Sequence, residues 1–332
     1  MSRLKRASSS SALPYEHVLG FALEHPWALT ASMRQTVAGI LARRLVGEEA
    51  APDLAALVPR SNLPQPKRGT VGVIPIYGVI APRMNLLSDF SGGTTFEALS
   101  AQLQAAVADD AIKTIVFDID SPGGNAAGAT EFAREVLKAR EQKPIIAQAH
   151  HLMASAAYWV GACATEVVAS PSAMVGSIGV YTIYDDISEA LAAVGVKREL
   201  IAAGKYKAEG ADGGPLSAEA HDHLRALVDT AYDLFVADVA KGRGVAASAV
   251  RGGYGEGRTV PAAEALALGL IDRIAPLSDT LTRLTSGARS SLTAPAATGQ
   301  EPRPMAAATP QEPHALIAAS LHYRDALYQL DL

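Results

Sequence analysis

Four short stretches of this chain combine residue types that can do chemistry, and three of them lie where a strand hands over to a helix or loop. The first is Asp120-Ser121-Pro122-Gly123-Gly124, after an apolar run and before a helical one. Glycines let the backbone approach a ligand closely, and free N–H groups there can stabilise an oxyanion in acyl transfer. Taken alone, it also fits an ordinary strand-to-helix turn. It is neither a Walker phosphate loop nor a dinucleotide fingerprint, because the required Lys-Ser/Thr and the glycine spacing are missing. The second is Met153-Ala154-Ser155-Ala156-Ala157-Tyr158. Small neighbours leave room for a carbonyl beside the Ser155 hydroxyl, with the Ala156 N–H at hand. From this stretch alone a helix N-cap is the favoured reading of Ser155.

The third stretch is Gly204-Lys205-Tyr206-Lys207-Ala208-Glu209. A lysine acts as a general base only when neutral, and burial beside positive charge drives it that way. Two solvated loop lysines are the plain alternative. The fourth, Val175-Gly176-Ser177-Ile178-Gly179-Val180, offers a hydroxyl flanked by glycines, suited either to holding an amine or to opening a strand. Histidine contributes less. His150 and His151 precede Ser155 by only five and four positions, and no Gly-x-Ser-x-Gly elbow is present. His221 and His223, at i and i+2 of a helix, point to different faces, as in a solvated surface.

These stretches need a scaffold. The chain has 332 residues, 49% hydrophobic and 19% charged, enough apolar material for a sizeable core. Its length allows one large domain with appendages, or two domains. Net charge is −5, so no global basic field draws in nucleic acid. The single cysteine, Cys163, excludes an internal disulfide and a cysteine-only metal site. Ile145–Thr165 carries no formally charged side chain, but Gln148, His150, His151 and Ser155 argue against a membrane span. The basic start (Arg3, Lys5, Arg6) runs into serines rather than an apolar core, unlike a secretory signal.

Periodicity predicts helices at Tyr15–Leu23 and Ala28–Leu45, then a Pro-containing linker at 61–68. From Gly69 to about Pro276 strands and helices alternate. Strands are expected at Thr70–Ile80, Lys113–Ile119, Ile145–Ala149, Ser177–Tyr184 and Lys197–Ile201. Helices are expected at Thr95–Val107, Asn125–Glu141, Met153–Ala164, Ile187–Val194 and Leu216–Lys241. This order predicts an α/β fold with a mainly parallel sheet. Lys113–Ile119 is nearly continuously apolar, as a strand covered on both faces must be. The domain reading is 1–65 for a helical N-terminal region and linker and 66–285 for the catalytic unit. Residues 286–332 form a Pro/Ala-rich tail with a short helix at Ala315–Leu330.

Taken in order, the four stretches resemble the signal peptide peptidase A family of serine proteases. The likeness continues through Lys241-Gly242-Arg243-Gly244, Gly257-Arg258 and Ala262–Asp272, and covers roughly residues 69–280. The resemblance implies a crotonase/Clp-protease-like β-α-β superhelix and a Ser–Lys dyad. Ser155 matches the nucleophile, Lys207 the general base and Ser177 the serine that orients the lysine. Gly123 and Ala156 match the oxyanion-hole amides, with Gly124 as a substitute for Gly123. No metal or cofactor is implied. The layout, with a helical N-terminal region in place of a membrane anchor and with a proline-rich tail, resembles the phage capsid assembly or prohead branch. That branch implies a homo-oligomer acting in the host cytoplasm or assembling head on extended polypeptides, including scaffold and capsid proteins. A cellular signal-peptide-peptidase-like protease and a non-catalytic assembly component remain the alternatives, and a crotonase-type acyl-thioester enzyme is a weaker one.

Overall fold

A computed structural model of the chain describes residues 27–29 (backbone only), 70–83 and 94–286. The expected helices at Tyr15–Leu23 and Ala315–Leu330, and most of the terminal regions, lie outside the described residues. Ala28 and Leu29, expected to open a helix, instead belong to a short strand, β1 (Trp27–Leu29).

The succeeding elements are β2 (Val71–Tyr77), β3 (Ile80–Ala81), β4 (Thr94–Thr95), α1 (Phe96–Ala108), β5 (Thr114–Ser121), β6 (Gly123–Asn125), α2 (Ala129–Ala139) and β7 (Ile145–Ala154). Then come α3 (Ala156–Gly161), β8 (Glu166–Ala169), β9 (Met174–Gly176), α4 (Ser188–Ala193), α5 (Ala218–Arg243), α6 (Ala247–Gly253), β10 (Thr259–Pro261), α7 (Ala262–Leu268), β11 (Arg273–Ile274) and α8 (Leu277–Thr285). The larger sheet runs β10-β9-β7-β5-β2, with β8 beside β7 and β11 beside β8. Every pair in it is parallel except β9 with β10. The smaller sheet runs β1-β6-β3-β4. The mainly parallel α/β fold expected from the sequence is therefore present.

β5 and β7 form the centre of the larger sheet. In β5, Ile115, Val116, Phe117 and Ile119 are all buried, which explains its unbroken apolar run. Successive residues point to opposite faces. Ile115, Phe117 and Ile119 join the main core, while Val116 joins Ile146 and Val168 on the other face, where Leu277, Leu281 and Leu284 of α8 pack. Helices thus cover both faces. α1 starts at Thr95, whose side chain accepts from the Ala98 N–H at 3.1 Å, and it buries Phe96, Leu99, Leu103 and Ala106 at helical spacing.

Two expected strands are absent. Residues 177–187 carry only an isolated bridge at Tyr181, and residues 197–201 have no strand pairing. Both have strand-like composition. However, Ile183, Leu200 and Ile201 are exposed, and a strand needs a paired, half-buried surface to be stable. The strand near Ser177 is β9, which ends one residue before it. Conversely, β7 runs five residues beyond the expected end at Ala149 and reaches Ala154.

Candidate active site

The register of β7 assembles the site. Along one flank its first half pairs with β8 (Ile146↔Glu166 to Ala149↔Ala169) and its last residues pair with β9 (Leu152↔Met174, Met153↔Val175, Ala154↔Gly176). Parallel pairing of Ala154 with Gly176 sets Ser155 and Ser177, the next residues of each strand, side by side. The Ser155 N–H donates to the Gly176 carbonyl at 2.7 Å, and the Ser177 N–H donates to the Arg258 carbonyl at 2.8 Å. On the opposite flank β5 pairs with β7 as far as Ser121↔Met153, so the Ser121–Asn125 turn lies on the other side of the strand that delivers Ser155. α3, which begins directly after Ser155, packs against β6.

Ser155 has φ 55° and ψ −121°, a conformation that glycine adopts freely and other residues adopt under strain. It is 1% exposed, and its Oγ has no hydrogen-bond partner. The cap reading therefore fails, since the hydroxyl bonds to no helix N–H. A sharp, strained turn from strand to helix is the geometry of a nucleophile elbow, reached here without the Gly-x-Ser-x-Gly pattern. Ala154, Ala156 and Ala157, all buried, are the small residues that permit it. Ser177 shares the positive φ, also 55°, and is half-buried.

The other expected residues are placed as follows. Gly123 has φ 100°, and its N–H donates to Ser121 Oγ at 3.1 Å, while Ser121 Oγ donates to the Gly78 carbonyl at 2.6 Å. Gly124 pairs with β3 so closely that a Cβ would lie 1.8 Å from the Ile80 carbonyl oxygen, so only glycine fits. Ala156 is the first residue of α3, whose opening N–H groups have no carbonyl within the helix. Lys207 is not brought to Ser155. It is exposed, in a turn where its own N–H donates to the Gly204 carbonyl at 3.2 Å. Lys205 is also exposed and pairs with Glu219 at 3.0 Å.

His150 and His151 do not serve Ser155. His150 Nδ1 lies 3.6 Å from Asp118 and His151 Nδ1 lies 2.9 Å from Asp120. They stand at the gap in β7 between its β8-paired and β9-paired halves. Tyr77 also donates to Asp118, and burial, with that hydrogen bond, pushes the Tyr77 phenol up from its ordinary value. His221 and His223 are exposed on α5.

Support for the serine turn comes from Trp159, Asp238 and Thr130, given no role in the sequence reading, and from the Lys241–Gly244 and Ala262–Asp272 stretches. Trp159 of α3 stacks on Phe235 of α5, rings 4.4 Å apart and 5° from parallel, and its indole N–H donates to Asp238 at 2.9 Å. Asp238, itself buried, also accepts from Thr130 at 2.6 Å. Gly242 lets α5 approach the end of α3, since a Cβ there would sit 2.3 Å from the Ala162 carbonyl oxygen. Arg243 forms a two-pronged pair with Asp272 at 2.6 and 2.9 Å, and Asp272 also accepts from the Val167 N–H at 2.7 Å. The Lys241–Gly244 and Ala262–Asp272 stretches are thus tied together as scaffold.

A strained serine at the mouth of a parallel sheet, beside a glycine strand, is the layout of a serine hydrolase. Comparison with protein families points within that class: residues 138–291 match the model of peptidase family S49. Among curated relatives, the chain is 32% identical over 239 residues to the head-tail preconnector protein GP5 of Enterobacteria phage P21, covering 70% of this chain and 47% of that protein. It is 29% identical over 212 residues to the capsid assembly protease C of Escherichia phage lambda, covering 64% and 48%. It is also 29% identical over 212 residues to the chloroplastic serine protease SPPA of Arabidopsis thaliana, covering 64% and 31%. The chain spans about half the length of the two phage relatives. Among the described residues, no helix is long and apolar enough to cross a membrane.

Proposed function

We propose that the chain is a serine endopeptidase in which Ser155 is the nucleophile, Lys207 the general base and Ser177 the group that orients the lysine. The observation that carries the reading is the buried, unpartnered Ser155 hydroxyl in its strained turn. A buried hydroxyl without a partner costs about 1–3 kcal/mol, and such groups in native structures commonly mark function.

In this reading Ser155 Oγ attacks the scissile carbonyl carbon while its proton passes to Lys207 Nζ. The negative oxygen is held by the N–H groups of Gly123 and Ala156. The Gly123 N–H must then exchange its Ser121 acceptor for the oxyanion. The C–N bond breaks, and Lys207 delivers the proton to the departing amine. Water next attacks the acyl ester, giving a proton to Lys207, and Ser155 regains it as the acid leaves.

The dyad requires the segment carrying Lys207 to close on Ser155. Val194, Val196, Leu200, Ile201 and Tyr206 are exposed on that same segment. An apolar surface of this kind suits burial against a second copy, so dyad closure is read as part of homo-oligomer assembly. The names of the two phage relatives support a role in phage or prophage head maturation, on extended scaffold or capsid polypeptides in the host cytoplasm. The domain limits proposed are 66–285 for the peptidase unit, flanked by 1–65 and 286–332.

A fluorophosphonate probe tests the chemistry. Labelling mapped to Ser155 and lost in Ser155→Ala is the expected result. A folded, assembled chain that takes no label would reject the peptidase reading in favour of a non-catalytic assembly component.

A further inference from the structure

β6 is the strand that follows the Ser121-Pro122 turn, and it has two neighbours. On one side is β3, through Ile80↔Gly124. On the other is β1, antiparallel, with Leu29↔Gly123, Ala28↔Gly124 and Trp27↔Asn125. Among the described residues, β1 is the edge of its sheet and three residues long. Two of its partners, Gly123 and Gly124, are the ones the peptidase reading assigns to the oxyanion side of the site. Extended peptides bind by adding a strand to such an edge through main-chain hydrogen bonds. An incoming polypeptide and β1 therefore compete for the same row of backbone groups.

We propose that Trp27–Leu29 is a resident strand that occupies the polypeptide-docking edge of Gly123–Asn125 and is displaced when an extended polypeptide binds. The inference rests on the peptidase reading for the chemistry of the site, but the competition is a property of the edge itself. Three features suit β1 to this role. Its pairing is short, and short edge strands open at low cost. It belongs to the same chain as its partner strand, so it competes as an intramolecular ligand and excludes weak binders. The β3 side of Gly124 is too close for any side chain, so that flank is tightly packed while the β1 flank rests on three residues.

The test uses the full chain carrying Ser155→Ala, which binds without cleaving, and fluorescein-labelled unfolded casein. Backbone hydrogen exchange is measured with and without casein. The expected result is that those amides of Trp27–Leu29 that are protected in the free chain by pairing with β6 lose protection on binding, while those of Gly123–Asn125 keep it. A second arm adds Ala28→Pro, which removes a backbone N–H from the middle of the strand. Casein affinity, read by anisotropy, should tighten at least about tenfold. A free peptide of residues 22–34 should compete with casein for the Ala28→Pro chain. Unchanged protection throughout Trp27–Leu29 on casein binding overturns the proposal, and this holds even where Ala28→Pro fails to fold. Loss of fluorophosphonate labelling at Ser155 in the wild-type chain would sink the peptidase reading alone and leave the exchange result standing.

Discussion

The backbone N–H of Ser155 donates to the carbonyl of Gly176 at 2.7 Å, and this one bond fixes the two serines of the site to each other. It continues the β7–β9 ladder one step beyond Ala154↔Gly176, where both chains turn to positive φ. Gly176 has φ 114°, and a Cβ on it would stand 3.0 Å from the Arg258 carbonyl oxygen, the acceptor that holds Ser177. Gly176→Ala should therefore cost about 1–3 kcal/mol in strain and shift both serines. Its melting point should fall, and Ser155 should label more slowly in the protein that remains folded. A variant that labels at the wild-type rate would show that the bond does not position the serine.

If Ser155 is the nucleophile proposed above, stability and function oppose each other at this position. Ser155→Ala removes a buried orphan hydroxyl, and Ser155→Gly also relieves the positive φ. Both should unfold at equal or higher denaturant than wild type, Ser155→Gly by a gain on the order of 1 kcal/mol. Both should be inert to the probe. A marked loss of stability in Ser155→Ala would mean that the hydroxyl has a structural partner after all.

The two lysines of the 204–209 turn separate cleanly. Lys205 is held by Glu219 at 3.0 Å and by the Tyr206 hydroxyl at 2.6 Å, on an exposed surface where such pairs contribute little. Lys205→Ala should keep most of the casein-cleaving activity. Lys207→Ala should lose about a hundredfold or more in turnover, the contribution of a general base. Lys207→Arg should not rescue it, because guanidinium does not give up its proton at working pH. Near wild-type cleavage by a folded Lys207→Ala protein would remove Lys207 from the mechanism.

Clamping of α3 to α5 makes a different prediction. Asp238→Ala leaves the buried Trp159 N–H and the Thr130 hydroxyl without their acceptor. A loss of about 1–3 kcal/mol is expected for an orphaned buried donor, read from the denaturation midpoint. Trp159→Phe keeps a ring to stack on Phe235 and should cost less. A negligible loss in Asp238→Ala beside a marked loss in Trp159→Phe would put the energy in the ring packing and not in the hydrogen bond.

Much of this arrangement is legible in residue types, and the misses have one cause. The apolar run before Asp120 and the periodic face of α5 depend on local composition, so both stand where periodicity puts them. Ser155 is legible as a residue with small neighbours, but its strain is not, because φ is set by β7 extending to Ala154 against β9. Residues 177–184 and 197–201 read as strands because Ile, Val, Tyr and Thr have strand propensity, and propensity says nothing of whether a pairing edge exists. The neighbour that matters for Ser177 is β10, whose Thr259 pairs with Gly176 from more than eighty positions away. Arg243 and Asp272 stand in separate stretches, and only the fold shows that they are one ion pair.

The last prediction concerns Cys163, the only cysteine. Its side chain is fully buried behind α3, with Sγ 3.4 Å from the Trp159 carbonyl oxygen and 3.7 Å from that of Asp238. Burial, with the nearby Asp238 charge, pushes the thiol up from its ordinary value of 9.0 to about 12. The folded protein thus keeps its thiol proton where the unfolded chain has lost it. Between pH 9 and 12 the unfolded state binds fewer protons than the native state, so this group makes stability fall as pH rises. Below pH 9 the two states bind the proton alike and the contribution is constant. Cys163→Ala should therefore show a shallower decline in denaturation midpoint than wild type between pH 9 and 11, with the two slopes converging below that window. The same burial predicts that iodoacetamide at pH 8 leaves the native thiol unmodified and alkylates it once guanidinium unfolds the chain. Rapid alkylation of the native protein, with probe labelling at Ser155 unaffected, would show that the packing of α3 against α5 opens without disturbing the serine turn, contrary to the rigid clamp derived from Trp159, Phe235 and Asp238.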